Sequence, residues 1–442
     1  MTDQSNYLKA AYFTLGCKLN FAETSTIGKI LSGKGIIRAA KGEIPDICVV
    51  NTCSVTEMAD KKGRRLIRSL ASRYPDATIV VTGCYAQLKP EAVAELPGVD
   101  IVLGSNEKLK IAEYIESWLS DRRKRTEVTP VFSIKEFHPS CERGDRTRFF
   151  LKVQDGCNYF CTYCTIPYAR GRSRSGVTED LVSMAREAVA AGGKEIVITG
   201  VNIGEYGKDN GQDLFSLLRR LDEVEGIERY RISSIEPNLL TEEIIRWIAE
   251  ESRAFMPHFH IPLQSGSDAV LKLMNRRYDT SLFSQKIKTV REMIPDAFIG
   301  VDIIAGARGE TPEQWERSLS FAESLDVTRY HVFPYSERPG TKALLLGDAV
   351  SQEEKHRRVS MLTKISDLKM ESFMRKNLGT VRPVLWEHPS GEGMMHGLTD
   401  NYLRVQAPLD LTMINTVVPT LLESIHEEEH DLIEGRPAEN IQ

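Results

Sequence analysis

No apolar run in this sequence approaches membrane-spanning length. The longest, such as "TIVV" and "DIVLG", fall far below the roughly 18 residues that a bilayer requires. The polar start "MTDQSNYLK" lacks the charged and apolar regions of a secretory leader, and no segment is of low complexity. These absences exclude a membrane protein and a fibrous one, and they lead us to expect a cytoplasmic location. Positive charge is also not in excess: 57 Lys and Arg stand against 62 Asp and Glu, a net charge of -5. A uniformly basic nucleic-acid binder is therefore excluded. Local basic blocks remain at "KKGRRLIRSLASR" (61–73), "DRRKR" (121–125) and "ARGRSRS" (169–175). Each would either track phosphates or form a solvated helix face. Cysteine is scarce, eight in 442 residues, and in a reducing compartment clustered thiols indicate metal or redox chemistry before disulfides.

What is present is an alternation of β-rich and helical segments in two blocks. In the first, "AYFTL", "ICVVN", "TIVVTG" and "DIVLG" alternate with amphipathic stretches, the pattern of a parallel sheet. Cys17, Cys53 and Cys84 each follow one of these strands. The carboxyl ends of parallel strands share one edge, where ligands bind, so the three thiols are expected to meet in space. Cys48 begins its strand and is expected to be a buried small hydrophobe. Cys141 has no partner pattern. Residues 121–145 are polar and irregular, the composition of an interdomain linker.

From residue 146 the alternation resumes with "RFFLKV", "KEIVITG", "YRISS", "HFHIP", "FIGVDIIAG" and "RYHVFP". These six strands predict a partial (β/α)6 barrel over 146–378, open on one side, as a large substrate requires. Thr178 is expected to cap a helix that buries Leu181, Ala185, Ala188 and Val189 and stops at Gly192 and Gly193. Residues 379–442 alternate as β-strands with turn signals and predict a small antiparallel barrel. The fold class is thus multidomain α/β, with a parallel α/β domain over 8–120 at the front.

The stretch "DGCNYFCTYCTIPYARGRSRS" (155–175) holds Cys157, Cys161 and Cys164 directly after the first barrel strand. Structural zinc takes four protein ligands, and no fourth Cys or His is near. A 4Fe-4S cluster held by three thiolates leaves one iron open to an exogenous ligand. Zinc remains the alternative from spacing alone.

This loop resembles the cluster loop of the radical S-adenosylmethionine methylthiotransferases. "TLGCKLN", "NTCSVT" and "VTGCYAQ" resemble the accessory domain of the same family, and the tail its TRAM domain. The segments "TLGCKLNFAET", "NTCSVTEMADKKGRR" and "TGVNIGEYG" are most similar to the branch that modifies N6-threonylcarbamoyladenosine at position 37, beside the tRNA anticodon. The resemblance implies two 4Fe-4S clusters, one on Cys157, Cys161 and Cys164 that binds S-adenosylmethionine, and an auxiliary one on Cys17, Cys53 and Cys84. It implies a transferase that generates its radical at the first cluster and places a methylthio group on C2 of the adenine. An electron donor such as flavodoxin or ferredoxin is implied as a partner. Sister branches act on an isopentenyl-type adenosine or on an aspartate of a ribosomal protein, and these stay open as substrates. A cluster- or zinc-bearing RNA-binding module without turnover is the reading from another class.

The resemblance also nominates contacts to the cofactor and substrate. Gly192, Gly193 and Glu195 are similar to a glycine-rich segment that meets the methionine amino group, although the glycines equally suit a helix C-cap. Ser234, Glu236 and Gln264 sit at strand ends where polar side chains meet the nucleoside. Arg170 and Arg172 follow the cluster loop and are expected to hold RNA backbone. Many relatives read Phe-Pro-Gly-Glu where this chain has Ala307-Arg308-Gly309-Glu310. Arg308 is accordingly a candidate for the threonylcarbamoyl carboxylate, or else a surface arginine. In the acidic tail, only the face around Arg382, Tyr402 and Arg404 suits tRNA.

Overall fold

The computed structural model describes residues 7–143, 147–390 and 393–437. The expected boundary at 145/146 and the last residues of the tail, 438–442, lie outside them. In the first domain, strands Ile37–Arg38, Lys9–Thr14, Ile47–Thr52, Thr78–Gly83, Val99–Leu103 and Arg125–Glu127 lie in that order in one parallel sheet. Ile47–Thr52 and Thr78–Gly83 are buried along their whole length, because helices cover both sheet faces. Continuous apolar runs are the sequence form of such strands. Val49 and Val80 pack under helices Lys18–Gly33 and Ile111–Asp121, while Val50 and Val81 pack under Glu57–Arg73 on the opposite face. Cys48 is fully buried in this second layer.

The segment expected as a linker is instead built into both neighbours. Arg125–Glu127 is the edge strand of the first sheet, and Ser140–Glu142 pairs antiparallel with Phe149–Lys152 of the second domain. Those two short strands satisfy their backbone polar groups in the two sheets, which polar composition alone does not reveal. Cys141 packs against the second core.

The second domain has six parallel strands: Phe149–Lys152, Glu195–Thr199, Arg229–Ile232, His258–Gln264, Phe298–Ala305 and Arg329–Pro334. They form two sheets joined by parallel bridges Tyr230↔Phe255 and Ser234↔His260. Among the described residues the two outer edges do not pair, so the barrel is partial. Helix Thr178–Ala190 starts at the expected cap residue itself, one residue early: Val177 is at the N-cap position, and Thr178 Oγ1 instead donates to Gln212 Oε1 at 2.7 Å. Leu181, Ala185 and Ala188 are buried.

The tail forms a closed five-stranded barrel in the order Val381–Ser390, Met394–Thr399, Arg404–Pro408, Leu432–Pro437, Val417–Ile425. One pair, Arg404–Pro408 with Leu432–Pro437, is parallel, where the sequence suggested antiparallel pairing throughout. The barrel buries Trp386, Met395 and Val405 and docks on Met370, Phe373 and Met374 of helix Gln352–Asn377. Among the described residues, no helix is long and apolar enough to cross a membrane.

Candidate active site between two cysteine triads

Cys157, Cys161 and Cys164 follow the carboxyl end of the first barrel strand, and polar hydrogens point at their sulfurs. The amide of Tyr159 donates to Cys157 Sγ at 3.4 Å and that of Ile166 to Cys164 Sγ at 3.4 Å. Arg276 Nη1 donates to Cys161 Sγ at 3.1 Å, and Asn202 Nδ2 reaches Cys157 Sγ at 3.9 Å. Such donors favour sulfur as thiolate. Burial opposes them and pushes the Cys157 and Cys164 thiols up to about 12, so a bound metal must displace the protons. Among the described residues no three Cys, His, Asp or Glu side chains are grouped to hold one metal ion. A four-iron cube does not need that convergence, because each thiolate binds its own iron.

Cys17, Cys53 and Cys84 follow three neighbouring strands of the first sheet, as their spacing predicts. Cys53 and Cys84 are buried and Cys17 is exposed. Burial and then the Cys84 thiol push Cys53 up to about 12, with Cys17 adding to the effect. Gly16 has φ +109°, and a Cβ placed on it would lie 2.7 Å from Cys53 Cβ and 3.1 Å from its sulfur. No other residue allows the Cys17 loop to approach Cys53 so closely.

A buried charge cluster joins the two domains beside this triad. Arg170 Nη1 donates to Glu23 Oε1 at 2.9 Å and Asp155 Oδ1 at 3.0 Å, and Nη2 to Asn20 Oδ1 at 2.6 Å. Lys108 and Lys152 reach the same Glu23 oxygen at 2.5 and 3.2 Å. Burial pushes the Glu23 carboxyl up, but Arg170, Lys108 and Lys152 together outweigh it and hold it far below the usual range. Arg170 opposes the effect of burial on the Cys84 thiol, which burial pushes up.

This corrects the expectation that Arg170 holds RNA: its guanidinium is 2% exposed. Of the run "ARGRSRS", Arg174 is buried too and donates to the carbonyls of Glu136, Arg170 and Arg172. Arg172 is exposed and lies over the Phe160 ring at 4.8 Å. Phe160 in turn contacts Phe132 and Tyr168.

The other nominated residues divide by sheet edge. Ser234, Glu236 and Gln264 lie at or just past carboxyl strand ends, on the side of the cysteine loop. Glu236 pairs with Arg276, the residue that also holds Cys161. Gly192, Gly193 and Glu195 lie at the opposite edge, because strand Glu195–Thr199 runs parallel to Phe149–Lys152 and begins there. Gly192 (φ +81°) and Gly193 close the preceding helix through bonds to Val189 and Ala188 carbonyls, each 2.8 Å. Glu195 Oε1 accepts from Arg231 Nε at 2.9 Å. Arg231 and Arg229 then donate to the carbonyls of Asp400, Thr399, Leu398 and Pro383, so this segment anchors the C-terminal barrel instead of meeting a cofactor.

Arg308 is also committed elsewhere. It pairs with Glu337 and donates to the Leu346 and Gly347 carbonyls at 3.2 Å, so in this structure each of its three nitrogens already donates to a group of the chain itself. The face around Arg382, Tyr402 and Arg404 is likewise spent: Arg382 pairs with Asp400 and Asp296, Arg404 with Asp431 and Glu429, and Tyr402 packs on His258 with ring centroids 4.2 Å apart. Sequence reasoning missed Arg276, which lies 115 residues from Cys161 in an unremarkable "MNRRYD". It also passed over Asn202, whose signal was available in "TGVN" directly after a strand end.

A three-cysteine loop at the carboxyl mouth of a partial six-stranded barrel is the arrangement of a radical S-adenosylmethionine enzyme. Residues 151–322 match the Radical SAM superfamily, and residues 9–104 match Uncharacterized protein family UPF0004. The chain is 38% identical over 416 residues to threonylcarbamoyladenosine tRNA methylthiotransferase MtaB of Bacillus subtilis (strain 168), covering 92% of each. To the MtaB protein of Thermotoga maritima it is 39% identical over 394 residues, covering 88% of this chain and 89% of the relative. Among solved structures, the radical S-adenosylmethionine methyltransferase TsrM from Kitasatospora setae, with cobalamin and a [4Fe-4S] cluster bound, superposes with a TM-score of 0.56 at 15% identity. That match covers 93% of this chain and 83% of TsrM, and supports the fold alone. The chain belongs to the radical SAM tRNA methylthiotransferase family, to which its MtaB relatives also belong.

Proposed function

We propose that this chain transfers a methylthio group to C2 of N6-threonylcarbamoyladenosine at position 37 of tRNA, in the cytoplasm. The observation that supports this reading is the bonding of Arg170, from the helix after Cys164, to Glu23 and Asn20 of the helix after Cys17, in a chain so similar to MtaB proteins. Cys157, Cys161 and Cys164 would hold one 4Fe-4S cluster and Cys17, Cys53 and Cys84 the other. Bound there, the clusters and S-adenosylmethionine supply the one-electron chemistry that breaks an unactivated C–H bond, together with the sulfur and methyl group to be transferred.

The chain's own residues hold and orient these groups. Arg276 and the Tyr159 and Ile166 amides stabilise the first set of thiolates, which tunes any cluster they carry. Ser234, Glu236 and Gln264 would contact S-adenosylmethionine at the barrel mouth. The target base must leave the anticodon stack to enter, at modest cost in a loop. Exposed Arg172 with Phe160 and Phe132 offers that loop charge and stacking surface beside the entrance. A small iron–sulfur or flavin protein would deliver electrons.

The test is mass spectrometry of tRNA nucleosides from cells lacking methylthiolation, complemented with this chain or with Cys157→Ala. The expected result is 2-methylthio-N6-threonylcarbamoyladenosine with the intact chain alone. Accumulation of a methylthio dimethylallyl product instead would move the substrate to the sister branch, and no product from an iron-loaded protein would overturn the reading.

A further inference from the structure

Two basic runs lie outside the site described above. In "DRRKR" (121–125), Arg125 pairs with Asp121 and Arg122 lies over the Trp118 ring. The run "KKGRRLIRSLASR" (61–73) instead makes up most of helix Glu57–Arg73, which buries Ile67 and Leu70 against the first sheet and turns its polar face outward. Lys61 pairs with Glu57 at 3.1 Å, Arg64 donates to Tyr85 Oη at 3.2 Å and Arg73 lies over the Tyr74 ring. Lys62, Arg65 and Arg68 are exposed and form no ion pair among the described residues. They stand three residues apart, so each is about 4.5 Å further along the axis than the last and adjacent ones share a face. No acidic residue lies between Lys61 and Arg73.

The first turn of this helix is fixed at the mouth of the site. The Glu57 amide donates to Ser336 Oγ at 3.0 Å, and buried Asp60 pairs with Arg338 at 2.8 Å. Both partners follow the last barrel strand, Arg329–Pro334. Thr165, directly after Cys164, donates to the carbonyl of Ser54, directly after Cys53, at 3.2 Å. The helix links two parallel strands, Ile47–Thr52 and Thr78–Gly83, so it starts at the carboxyl edge and runs back for about 25 Å. The C-terminal barrel sits at the other edge of the second domain. Arg229 and Arg329, each the first residue of its strand, bond to it, and its own Arg382 and Arg404 are paired with carboxylates.

We propose that Lys62, Arg65 and Arg68 bind the phosphate backbone of the tRNA anticodon arm, so that the N-terminal domain holds the RNA whose loop enters the barrel. The inference rests on the methylthiotransferase reading above. A base drawn into the carboxyl mouth leaves its stem outside on that same side, and phosphates there need cations that the chain has not already paired. With a net charge of -5, the chain supplies them only locally. A row of cations with no acid among them matches a continuous polyanion. An acidic protein would meet the same charges, yet a protein interface also needs an apolar centre, and Val55 and Met58, exposed at the helix start, make a small one.

The experiment uses the full iron-loaded chain and anticodon stem-loop RNAs that carry threonylcarbamoyl-adenosine or plain adenosine at position 37. Equilibrium binding is measured across a salt series, and methylthiolation beside it. Lys62→Gln, Arg65→Gln and Arg68→Gln should each lower the slope of log affinity against log salt by about 1, and the triple variant by about 3, equally for both RNAs. Turnover of the triple variant should show a raised KM for RNA with kcat kept, and its thermal midpoint and iron content should match the wild type. A control variant, Arg246→Gln with Arg317→Gln and Lys364→Gln, removes the same charge from exposed positions on the outer helices of the second domain and should keep the wild-type slope. Equal losses in the two triple variants, or no loss in either, overturn the proposal. So does a helix variant that binds RNA normally and loses turnover only when a reduced flavin protein replaces dithionite, since the surface then belongs to the electron donor. A wild type that binds RNA through these three residues but adds no methylthio group removes the functional reading and upholds the surface.

Discussion

Arg170 Nη2 donates to Asn20 Oδ1 at 2.6 Å, and that same amide oxygen accepts from the Cys17 thiol at 3.7 Å. Arg170 ends the short helix Ile166–Arg170 that follows Cys164, so one guanidinium ties the segment after the first triad to the loop that presents the second. The Cys17 loop is therefore set by the neighbouring domain as well as by its own. A transfer between groups held on two domains demands such a fixed separation.

Replacing Arg170 with Ala leaves Glu23 and Asp155 buried beside fewer cations, a loss of about 3–5 kcal/mol for a broken buried network. Arg170→Lys keeps the charge but not the fork that spans Glu23, Asp155 and Asn20. We expect a large fall in thermal midpoint for the alanine variant. For the lysine variant we expect a smaller fall with an altered electron paramagnetic resonance signal from the auxiliary site. Unchanged melting in Arg170→Ala would show that the network contributes nothing.

Why the sequence misassigned Arg170 is a matter of distance along the chain. In "ARGRSRS" the three arginines look alike, yet the partner that buries Arg170 is Glu23, 147 residues away, and no local pattern encodes that. The alternation of strands and the placement of six cysteines at strand ends were legible because periodicity and strand-end position are local properties. Glu195 was misplaced for a different reason: the glycines before it suggested a ligand loop, although their place ahead of the strand already put them at the edge away from the cysteines. The contact of Arg276 with Cys161 arises only when separate loops come together.

Gly16→Ala tests the approach of the auxiliary loops. Its φ of +109° and the 2.7 Å separation from Cys53 Cβ mean that an added methyl must displace Cys17 or Cys53. We expect iron per chain to fall by about half as the auxiliary site is lost, in keeping with the strain of such positions, while the Cys157 loop stays loaded. Full iron content in this variant would show that the loops yield without losing their ligands.

Glu195→Gln separates an anchoring role from cofactor binding. The carboxylate balances Arg231, with Arg148 and Arg229 close by at 3.8 and 3.9 Å, and these arginines hold the C-terminal barrel. Neutralising it leaves buried cations uncompensated. The expected outcome is a lower thermal midpoint and faster proteolysis between the second and third domains, with unchanged affinity for S-adenosylmethionine. A selective loss of that affinity with normal stability would restore the cofactor role.

Stability should also fall in two steps as the solution is acidified. His258 is enclosed, and burial followed by Arg231 and Lys18 drives its pKa well below 6.5; burial takes His331 from 6.5 to about 4. Between those values the unfolded chain binds protons that the folded chain refuses, so stability declines as pH falls. The histidine contribution is complete above about 6.5, and the His331 part is gone below about 4. Glu23 and Asp155, with folded values held below 4.5 and 3.8, keep their contribution until the pH drops beneath those figures and lose it in stronger acid. Thermal midpoints measured from pH 8 to pH 3 should show the histidine slope first, and His258→Gln should flatten that slope without moving the lower step. An identical profile in the variant would assign the first step to other groups.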